Sequence, residues 1–391
     1  MRKTVSSQKE AHGGHLAPRT ALMSVAMTVD QGVPARRPAR VGIRDVAAAA
    51  GVSITTVSDA LNGKGRLPDS TRVHVREVAD RLGYRPSAAA RTLRTGRSGL
   101  IGLTTTNHAA EPFALTEYGW FTELVRAATG AALDRGYALV VLPTSSRHDV
   151  WSNVALDGTI VVDPAEDDPM VRELLRRGVP VVTGGHPGDS TVHGWVDIDH
   201  ALAMDTVLGH FADAGAQRIA VLAAGEGTYA RRSVAAYQAW CAEHGREPLI
   251  ETYVLGRPGA AGEAAGRLFD RPAGERPDAV YGIQEGCGAE LLAAARTRGL
   301  RVPEDVLVAG CGEDAAATSG DPALTTLSLQ PRVAGSSAVE LLVGVIEDDA
   351  QGPGTRIPAQ RTVPIRLSVR DSSARTAAAR SGQGVQAVPG G

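Results

Sequence analysis

One short stretch, GVSITTVSDALNGKGRLP at residues 51–68, combines several hydroxyl side chains with a carboxylate, Asp59. It lies in a strongly basic part of the chain, because residues 36–97 contain 13 Arg and Lys against five Asp and Glu. The formal net charge of the whole chain is −2, so this local charge of +8 leaves −10 for the remainder. A basic segment on an acidic body indicates a polyanionic partner for the basic segment alone. A carboxylate turned towards a polyanion is unexpected, and Asp59 therefore needs its own explanation.

Other residue types that could do chemistry are sparse. Cys241, Cys287 and Cys311 are widely spaced, with no CxxC pair or Cys/His cluster, so we predict buried, reduced thiols and no metal site. No GxGxxG, Walker A loop or nucleophile elbow occurs in a strand–turn–helix context, and we predict no cofactor and no enzymatic activity. No apolar run approaches the roughly 18 residues of a membrane span. The N-terminal segment also lacks the apolar core of a secretory signal, so we expect a cytoplasmic protein without a membrane partner.

The basic segment is divided into three short helices by its own turn residues. The alanine-rich residues 44–50 stop at Gly51, a residue that readily takes the left-handed conformation after a helix. Ser53 caps a second helix, which the sequence NGKG ends. A third helix over about residues 69–82 has apolar side chains at i, i+3, i+4 and i+7. Two helices joined by a short turn, with a third to cover them, predict a helix-turn-helix.

The sequence of this head resembles that of a known family. DVAAAAGVSITTVSDALNG at residues 45–63 is similar to DVAxxAGVSxxTVSRxLNG, the motif of the lactose-repressor (LacI/GalR) family of bacterial transcription regulators. LGYRPSAAARTLRTGRSGLIGL at residues 82–103 matches the hinge pattern of the same family. The resemblance extends over about residues 41–370 and implies a transcriptional regulator, most often a repressor. Such a protein binds a near-palindromic DNA operator as a homodimer, because twofold protein symmetry demands twofold operator symmetry.

The resemblance also implies which residues contact DNA. Residues at the start of the second helix take the base-reading positions, and neighbouring polar side chains take positions of phosphate contacts. In the hinge helix, Leu93 takes the position of an apolar wedge that enters the minor groove and kinks the duplex; an ordinary linker or core leucine is the alternative. The implied DNA-binding residues are Ser53, Ile54, Thr55, Thr56, Ser58, Asp59, Asn62, Arg91, Leu93 and Arg94.

Asp59 stands where most members of the family have arginine, and two explanations remain open. A carboxylate offers only acceptors, so in the major groove it suits the N4 amino donor of cytosine. Alternatively, Asp59 turns away from the groove and pairs with a nearby base such as Arg66, in an exposed ion pair of about 0–1 kcal/mol. Because phosphates repel a carboxylate, we favour the second explanation.

After residue 97 the chain alternates strand-like and helical stretches in two similar series. The first begins with LIGLTT (100–105), and the second begins with HALAMDTVLGHFADAGA (200–216). This alternation predicts parallel sheets with helices on both faces, in two α/β lobes. The resemblance implies the same fold: an all-α helix-turn-helix head with a hinge helix, followed by a periplasmic-binding-protein-like body of two doubly wound parallel-sheet lobes. In one departure from the family, only a few residues separate LPTSSRHD from LDGTIVV, so the first lobe is expected to be smaller or differently wound.

These patterns give the expected domain boundaries. We expect a disordered extension at 1–40, the helix-turn-helix domain at 41–85, a hinge helix and linker at 86–98, a two-lobed effector-binding and dimerisation domain at 99–370, and a disordered tail at 371–391. Within the two-lobed domain, the first lobe is expected to comprise about 99–195 and 331–350, and the second about 196–330 and 351–370.

The family's ligand site lies between the lobes, where doubly wound sheets also bind ligands. Alignment of YGWFTEL (118–124) with the family's NPFFxEL places Trp120 and Phe121 at aromatic ligand positions, with core packing as the alternative. IQEGCGAEL (283–291) matches the family's effector-lobe signature. Gln284 and Glu285 would then supply polar contacts, with a solvated charge as the alternative for Glu285.

Three further residues are candidates for the ligand site. Asp199 matches an acidic position at the pocket rim in the family, although as a helix N-cap it would need no ligand. The family's arginine aligns with Ser233, so Arg231 or Arg232 beside it would have to replace that contact. The resemblance thus implies a small polar effector, such as a sugar, without identifying it.

Two other kinds of protein could use the same lobes. An enzyme, for instance a sugar or nucleoside hydrolase, would turn over the bound ligand. A sugar-binding receptor would have no use for residues 41–97 and would be expected to carry a secretion signal. The basic head therefore favours the DNA-binding regulator.

Overall fold

The computed structural model describes residues 41–63, 65–85, 92, 96–105, 119–142, 153–188, 191–224, 227–312, 317, 319–349 and 358–375. The chain divides into two compact units, Met1–Pro86 and Ser87–Gly391. The predicted N-terminal extension, most of the predicted hinge helix and residues 376–391 lie outside the described residues.

The first unit contains three helices, which we number α1 to α3: Ile43–Ala50, Ile54–Leu61 and Asp69–Arg81. Gly51 ends α1 with a left-handed φ of 66°, and Ser53 Oγ accepts a hydrogen bond from the Thr56 amide at 3.1 Å, which caps α2. The core of this unit includes four fully buried valines, Val46, Val57, Val75 and Val78. The predicted helix-turn-helix is therefore confirmed.

In the second unit, one sheet has six parallel strands. They are β1 (Leu100–Thr105), β2 (Ala138–Val141), β3 (Gly158–Val162), β4 (Val181–Gly184), β5 (Gly194–Ile198) and β11 (Ala359–Val363), in the order β11-β5-β4-β3-β1-β2. The helices associated with this first lobe are α4 (Gly119–Asp134), α5 (Pro169–Arg176) and α10 (Pro331–Asp349).

The second sheet also has six strands. They are β6 (Ile219–Ala224), β7 (Leu249–Tyr253), β8 (Ala279–Glu285), β9 (Leu307–Cys311), β10 (Thr325–Ser328) and β12 (Arg366–Ser368), in the order β12-β10-β9-β8-β6-β7. All neighbours are parallel except β12, which runs antiparallel to β10. The helices of this second lobe are α6 (His200–Asp213), α7 (Thr228–Glu243), α8 (Ala260–Phe269) and α9 (Cys287–Thr297).

The two sheets have the same winding. Strand β1 corresponds to β6, β2 to β7, β3 to β8 and β4 to β9, and each lobe's first helix, α4 or α7, follows its first strand. The predicted body of two doubly wound α/β lobes is confirmed. The carboxyl ends of β1 and β3 in one lobe, and of β6 and β8 in the other, are the places where such sheets bind ligands.

Two expected boundaries between the lobes need correction, and so does the expected start of the tail. Strand β11 was assigned to the second lobe, but its residues pair with β5 of the first sheet, from Ala359 beside Gly194 to Val363 beside Ile198. Strand β5 itself crosses the expected boundary between residues 195 and 196. The chain therefore returns to each sheet once near its end, since β12 then joins the second sheet.

The start of the predicted disordered tail is in fact part of the second lobe. Ser372 and Ser373 are fully buried. The Ser372 hydroxyl donates to the Val308 carbonyl at 2.6 Å and accepts from the Thr325 amide at 2.8 Å. These bonds satisfy polar groups at the amino-terminal ends of β9 and β10, which is why the chain remains part of the lobe beyond residue 370.

The expectation of a smaller first lobe is not supported by its strand number, since both sheets have six strands. The departure from the family falls at residues 150–155, of which residues 150–152 lie outside the described residues. Among the helices that the structure describes, none is long and apolar enough to cross a membrane.

Candidate DNA-binding surface and ligand cleft

Helix α2 buries one face and exposes the other. Val57 and Ala60 are fully buried in the core of the first unit, three residues apart on the inner face. Ser53, Ile54 and Thr55 are exposed at the amino-terminal end of the helix, and 45% of the Ile54 side chain is accessible. The start of α2 therefore presents an isoleucine and hydroxyl groups to solvent, as the prediction of a base-reading surface requires.

The polar side chains predicted to contact phosphates are held by local hydrogen bonds. The Ser53 and Thr56 hydroxyls lie 2.9 Å apart, within one turn. Asn62 donates from its amide nitrogen to the Ser58 carbonyl, so it closes the carboxyl end of α2. These side chains are pre-positioned along one helix, which suits contacts that set register on a DNA backbone.

Asp59 is half-buried against the turn that follows α2. A Cβ built on Gly65, which has a left-handed φ of 71°, would lie 3.0 Å from Asp59 Oδ2. Arg72 fastens the same turn by donating to the Gly65 carbonyl at 2.7 Å. Within the part of the chain that the structure describes, the carboxylate forms no ion pair with Arg66, so the expected pair is absent. Asp59 turns towards the Gly65 turn, in line with the second explanation of its role but with a different neighbour.

The remaining predicted DNA contacts, Arg91, Leu93 and Arg94, lie outside the described residues. The structure describes the chain again from Gly96, just before β1. Arg97 donates to the Ile346 carbonyl at 2.6 Å, near the end of α10. The segment that follows the predicted hinge is thereby attached to the first lobe.

A cleft with a free volume of about 180 Å³ lies between the two lobes, at the carboxyl ends of their strands. Most of its lining is apolar or aromatic, and it includes Trp120, Phe121, Tyr229, Gln284 and Glu285. Three carboxylates, those of Asp163, Asp197 and Glu285, reach the lining, whereas no Arg or Lys of the described residues does. The cleft is the size of a small-molecule site, and the charged lining residues among those described are acidic.

The two predicted aromatic residues have different environments. Phe121 is 5% exposed and belongs to the first lobe's core, although its ring also borders the cleft. Trp120 packs against the cores of both lobes. Its buried indole N–H has no hydrogen-bond partner among the described residues. Trp120 therefore lines the cleft with its indole while its N–H is enclosed by protein, whereas Phe121 serves mainly packing.

Glu285 reaches across the cleft to the opposite lobe. Its Oε1 accepts a hydrogen bond from the Gly119 amide at 3.1 Å, and its Oε2 accepts from the Trp120 amide at 2.8 Å. These are the first two residues of α4, so the carboxylate of the second lobe caps a helix of the first. Glu285 lies in the predicted site, but its oxygens bind protein amides.

Gln284 also lines the cleft, and its amide group is occupied by backbone. Its Nε2 donates to the Ala224 carbonyl at 2.7 Å, and its Oε1 accepts from the Ala224 amide at 2.8 Å. Ala224 is the last residue of β6, beyond the last backbone pairing of β6 with β8. The predicted ligand contact is therefore a clamp between the ends of two strands.

The other predicted contacts lie outside the cleft lining. Asp199 caps α6 by accepting a hydrogen bond from the Leu202 amide at 2.9 Å, so its N-cap interpretation is the one that the structure supports. Arg231 pairs with Glu166 of the first lobe at 3.2 Å, with both side chains largely exposed. Arg232 is 3.8 Å from Asp197.

Sequence reasoning missed two acids that do line the cleft, Asp163 and Asp197. Asp197 could have been predicted from the sequence, because it precedes the candidate Asp199 by two residues in the same motif. It lies in β5, one residue before the carboxyl end of the strand. His200 Nε2 contacts its Oδ1 at 3.2 Å, and the His186 amide donates to its Oδ2 at 3.2 Å. Asp163 follows β3 directly, at the position where strand ends converge.

Ser233, His200 and Asp197 form a hydrogen-bonded chain that has the residue types of a hydrolase triad. Ser233 Oγ lies 3.0 Å from His200 Nδ1, and His200 Nε2 lies 3.2 Å from Asp197. A nucleophilic serine has to face the substrate. Here Ser233 is only 1% exposed, and it is the carboxylate of Asp197 that faces the cleft. The serine is therefore placed at the wrong end of this hydrogen-bonded series to attack a ligand.

The cysteines are buried thiols, as predicted. Burial raises the pKa of Cys287 to about 11 and that of Cys311, which borders the cleft, to about 12. Neither is a thiolate nucleophile near neutral pH. The residues that the structure describes contain no cluster of three or more His, Cys, Asp or Glu side chains able to hold a metal ion.

Comparison with known proteins identifies the family. Residues 42–87 match the model of bacterial regulatory proteins of the lacI family, and residues 208–373 match the periplasmic binding protein-like domain. The transcriptional regulator CelR of Thermobifida fusca is 31% identical over 352 residues, which span 85% of this chain and 95% of CelR. The chain therefore belongs to the LacI family of DNA-binding transcriptional regulators, and it is a regulator and not an enzyme.

Further relatives and solved structures agree with this assignment. The transcriptional repressor PurR of Photobacterium profundum is 26% identical over 317 residues, covering 78% of this chain and 92% of PurR. The structure of a CelR–cellobiose complex is 26% identical, with a TM-score of 0.63, and covers 85% of this chain and all of the other. The Lac repressor dimer bound to operator and an anti-inducer is 22% identical with a TM-score of 0.72, covering 85% and 99% of the two chains, which supports the fold.

Proposed function

We propose that this protein is a repressor that binds a near-palindromic operator as a homodimer and responds to a small polar effector, such as a sugar. The combination that carries the proposal is a helix-turn-helix with an exposed α2 in the same chain as a ligand-sized cleft between two lobes. Acting on DNA, it works in the cytoplasm.

The DNA-binding part of the proposal rests on α2 and the basic surroundings of the head. Ile54 and Thr55 at the start of α2 read base edges in the major groove, and Ser53, Thr56, Ser58 and Asn62 contact phosphates. Arg91, Leu93 and Arg94 keep the roles that the family resemblance implies, with Leu93 as a minor-groove wedge. Two heads of a dimer then bind two symmetric half-sites.

The effector part rests on the cleft lining. An indole face such as that of Trp120, which lines the cleft, stacks on a sugar ring. The CelR structure is a complex with cellobiose. A bound effector changes lobe closure and thereby operator affinity, a coupling of about 1–3 kcal/mol, or roughly 5–150-fold.

Selection of operators from a random DNA pool with the full-length chain tests DNA binding. We expect enrichment of a twofold-symmetric site and weaker binding by Thr55→Ala. Thr297→Ala, which changes an exposed threonine of α9 in the second lobe, is the control and should select the same site. Recovery of unrelated sequences, or of a site without symmetry, would reject the proposed dimeric repressor.

A thermal-shift screen against sugars, nucleobases and small metabolites tests the effector. A ligand that binds only the folded body raises its melting temperature in proportion to RT ln(1 + [L]/Kd). In the Trp120→Ala variant, the increase in melting temperature that the same ligand causes should disappear. A shift that persists in Trp120→Ala would remove Trp120 from the effector site.

A further inference from the structure

Each lobe extends a carboxylate across the cleft to the other lobe. Glu285, the last residue of β8, accepts from the Gly119 and Trp120 amides at the start of α4. Asp163, directly after β3, accepts from the Tyr229 amide at 2.8 Å, near the start of α7. Each acid therefore caps a helix of the lobe to which it does not belong.

The two contacts are equivalent by fold position. Strand β3 holds the place in the first sheet that β8 holds in the second, and α4 and α7 are the first helices of their lobes. The arrangement is thus reciprocal: the third strand of each lobe ends in an acid that reaches the first helix of the other. A single contact of this kind closes one side of a cleft, whereas a reciprocal pair holds both sides.

The backbone is built for this close approach. A Cβ on Gly119 would lie 2.9 Å from Glu285 Oε1, and a Cβ on Gly227 would overlap the carboxylate of Asp163. Glycine at both positions leaves room for the opposing acid. Asp163 itself has a left-handed φ of 50°, and the neighbouring Thr228 hydroxyl donates to the Pro164 carbonyl across the same junction. Aspartate is among the residues that tolerate this conformation.

We propose that Asp163 and Glu285 form a latch that holds the lobes closed without effector and reserves both helix ends for protein carboxylates, so that the effector is an uncharged molecule. The amino ends of helices are favourable sites for phosphate or carboxylate groups. Here both are occupied from within the chain. The third acid of the lining, Asp197, contacts His200 and lies 3.8 Å from Arg232, so the exclusion of anionic ligands rests on the two occupied helix ends.

This inference rests on the proposed function only in assuming that the effector enters this cleft. It excludes phosphorylated and carboxylated ligands and selects neutral ones that pack on the Trp120 indole and the apolar walls. A ligand without negative charge can enter beside the latch without competing for the helix ends.

Hydrogen exchange of the ligand-free, full-length protein tests the latch. Glu285→Ala and Asp163→Gly each remove one carboxylate, and Gly keeps the left-handed backbone accessible. We expect exchange about tenfold faster at residues 119–121 and at residues 228–230 in both variants, because opening one side releases the other. Glu263→Ala, which removes an exposed partner of Arg257 in the second lobe, is the control and should leave the exchange rates of both segments unchanged. Faster exchange only in the helix that has lost its own cap would overturn the latch.

Inorganic phosphate tests the effector class. At constant ionic strength, phosphate should raise the melting temperature of the Glu285→Ala/Asp163→Gly double variant by more than that of wild type or Glu263→Ala, because only the double variant has free helix ends. Equal shifts in all three proteins would reject the reservation of these ends. If the double variant does not fold, the two single variants replace it, because each of them frees one helix end. Neither experiment needs DNA or effector, so a negative result here leaves the operator selection unaffected, and the reverse also holds.

Discussion

At the scale of single residues, helix α2 carries exposed side chains that can reach DNA and one carboxylate that is half-buried. Ile54 is 45% exposed at the start of α2, and Asp59 lies half-buried beside Gly65. An exposed isoleucine suits apolar contact with the C5-methyl group of thymine. Base preference therefore depends on Ile54 and its neighbour Thr55, and Asp59 shapes the turn that follows the helix.

Operator selection with two variants tests this division. Ile54→Ala should weaken the preference for thymine at one symmetric position of each half-site, where a mismatch costs about 1–3 kcal/mol. Asp59→Ala should select the same sequences as wild type, because its carboxylate does not face the exposed side of the helix. Loss of a cytosine preference in Asp59→Ala would instead establish direct readout by the carboxylate.

A second prediction at the residue scale concerns the stabilising role of Gln284. Removing its amide leaves both backbone groups of Ala224 without their partners, so Gln284→Ala should lower the free energy of unfolding by about 1–3 kcal/mol. Urea denaturation measures the change. Gln217→Ala, at an exposed position, is the control and should have little effect. Unchanged stability together with lost effector binding would show instead that Gln284 contacts the ligand.

The buried thiols predict a pH dependence. Their pKa values in the folded protein, about 11 for Cys287 and about 12 for Cys311, lie above the ordinary value of 9.0. The unfolded chain therefore loses these protons first as pH rises, and stability falls. We expect the full free energy of unfolding below about pH 9 and a progressive loss from there to pH 11–12, measured by urea denaturation at each pH. Cys287→Ala should reduce the slope; an identical slope would exclude this thiol as a cause.

At the scale of secondary-structure elements, Asp157 fixes the point where the chain enters β1. Its Oδ1 accepts from the Ser98 amide and its Oδ2 from the Gly99 amide, both at 2.7 Å. Hydrogen bonds to charged groups contribute about 1.5–3 kcal/mol each. The carboxylate thus attaches the end of the linker to the first sheet, next to the Arg97 contact with α10.

Asp157→Ala should lower the melting temperature of the body and accelerate hydrogen exchange at residues 98–100, because three donors lose their acceptor. Asp205→Ala, at an exposed position of α6, is the matched control. Equal exchange at residues 98–100 in wild type and Asp157→Ala would show that the anchor lies elsewhere.

The elements that could be predicted from sequence are those whose determinants are local. The N-cap of α2 depends on Ser53 and Thr56, three residues apart, and the end of α1 depends on Gly51 alone. Strand β11 was placed in the wrong lobe because its partner, β5, lies more than 150 residues earlier and no local pattern distinguishes the two sheets. Its exposed, polar sequence fits an edge strand of either sheet.

The candidate site shows the same limit. Family motifs led to Trp120 and Glu285, which do line the cleft. Their actual relation, a carboxylate on the amides of residues 119 and 120, joins positions 166 and 165 residues apart. Asp163 was missed because its helix partner is in the other lobe, so only the folded arrangement shows that a single acid after β3 caps α7.

At the scale of the whole molecule, the latch between the lobes determines whether effector-free operator binding depends on Glu285. If ligand alone closed the cleft, Glu285→Ala would abolish the response and leave effector-free operator binding intact. A cleft that is closed by its own carboxylates predicts a different result. Glu285→Ala should also alter operator affinity without effector, because the lobes lose one side of their latch. Fluorescence anisotropy on the selected operator separates these outcomes, with Glu263→Ala as the control.

The central claim is that one chain couples a DNA-reading head to a ligand cleft. Its most direct test is the operator affinity of the full-length protein, measured by fluorescence anisotropy with and without a saturating neutral ligand found in the thermal-shift screen. The account predicts a change of about 5–150-fold, absent in Trp120→Ala, for a binding coupling of about 1–3 kcal/mol. Equal affinity with and without a ligand that demonstrably occupies the cleft would contradict it.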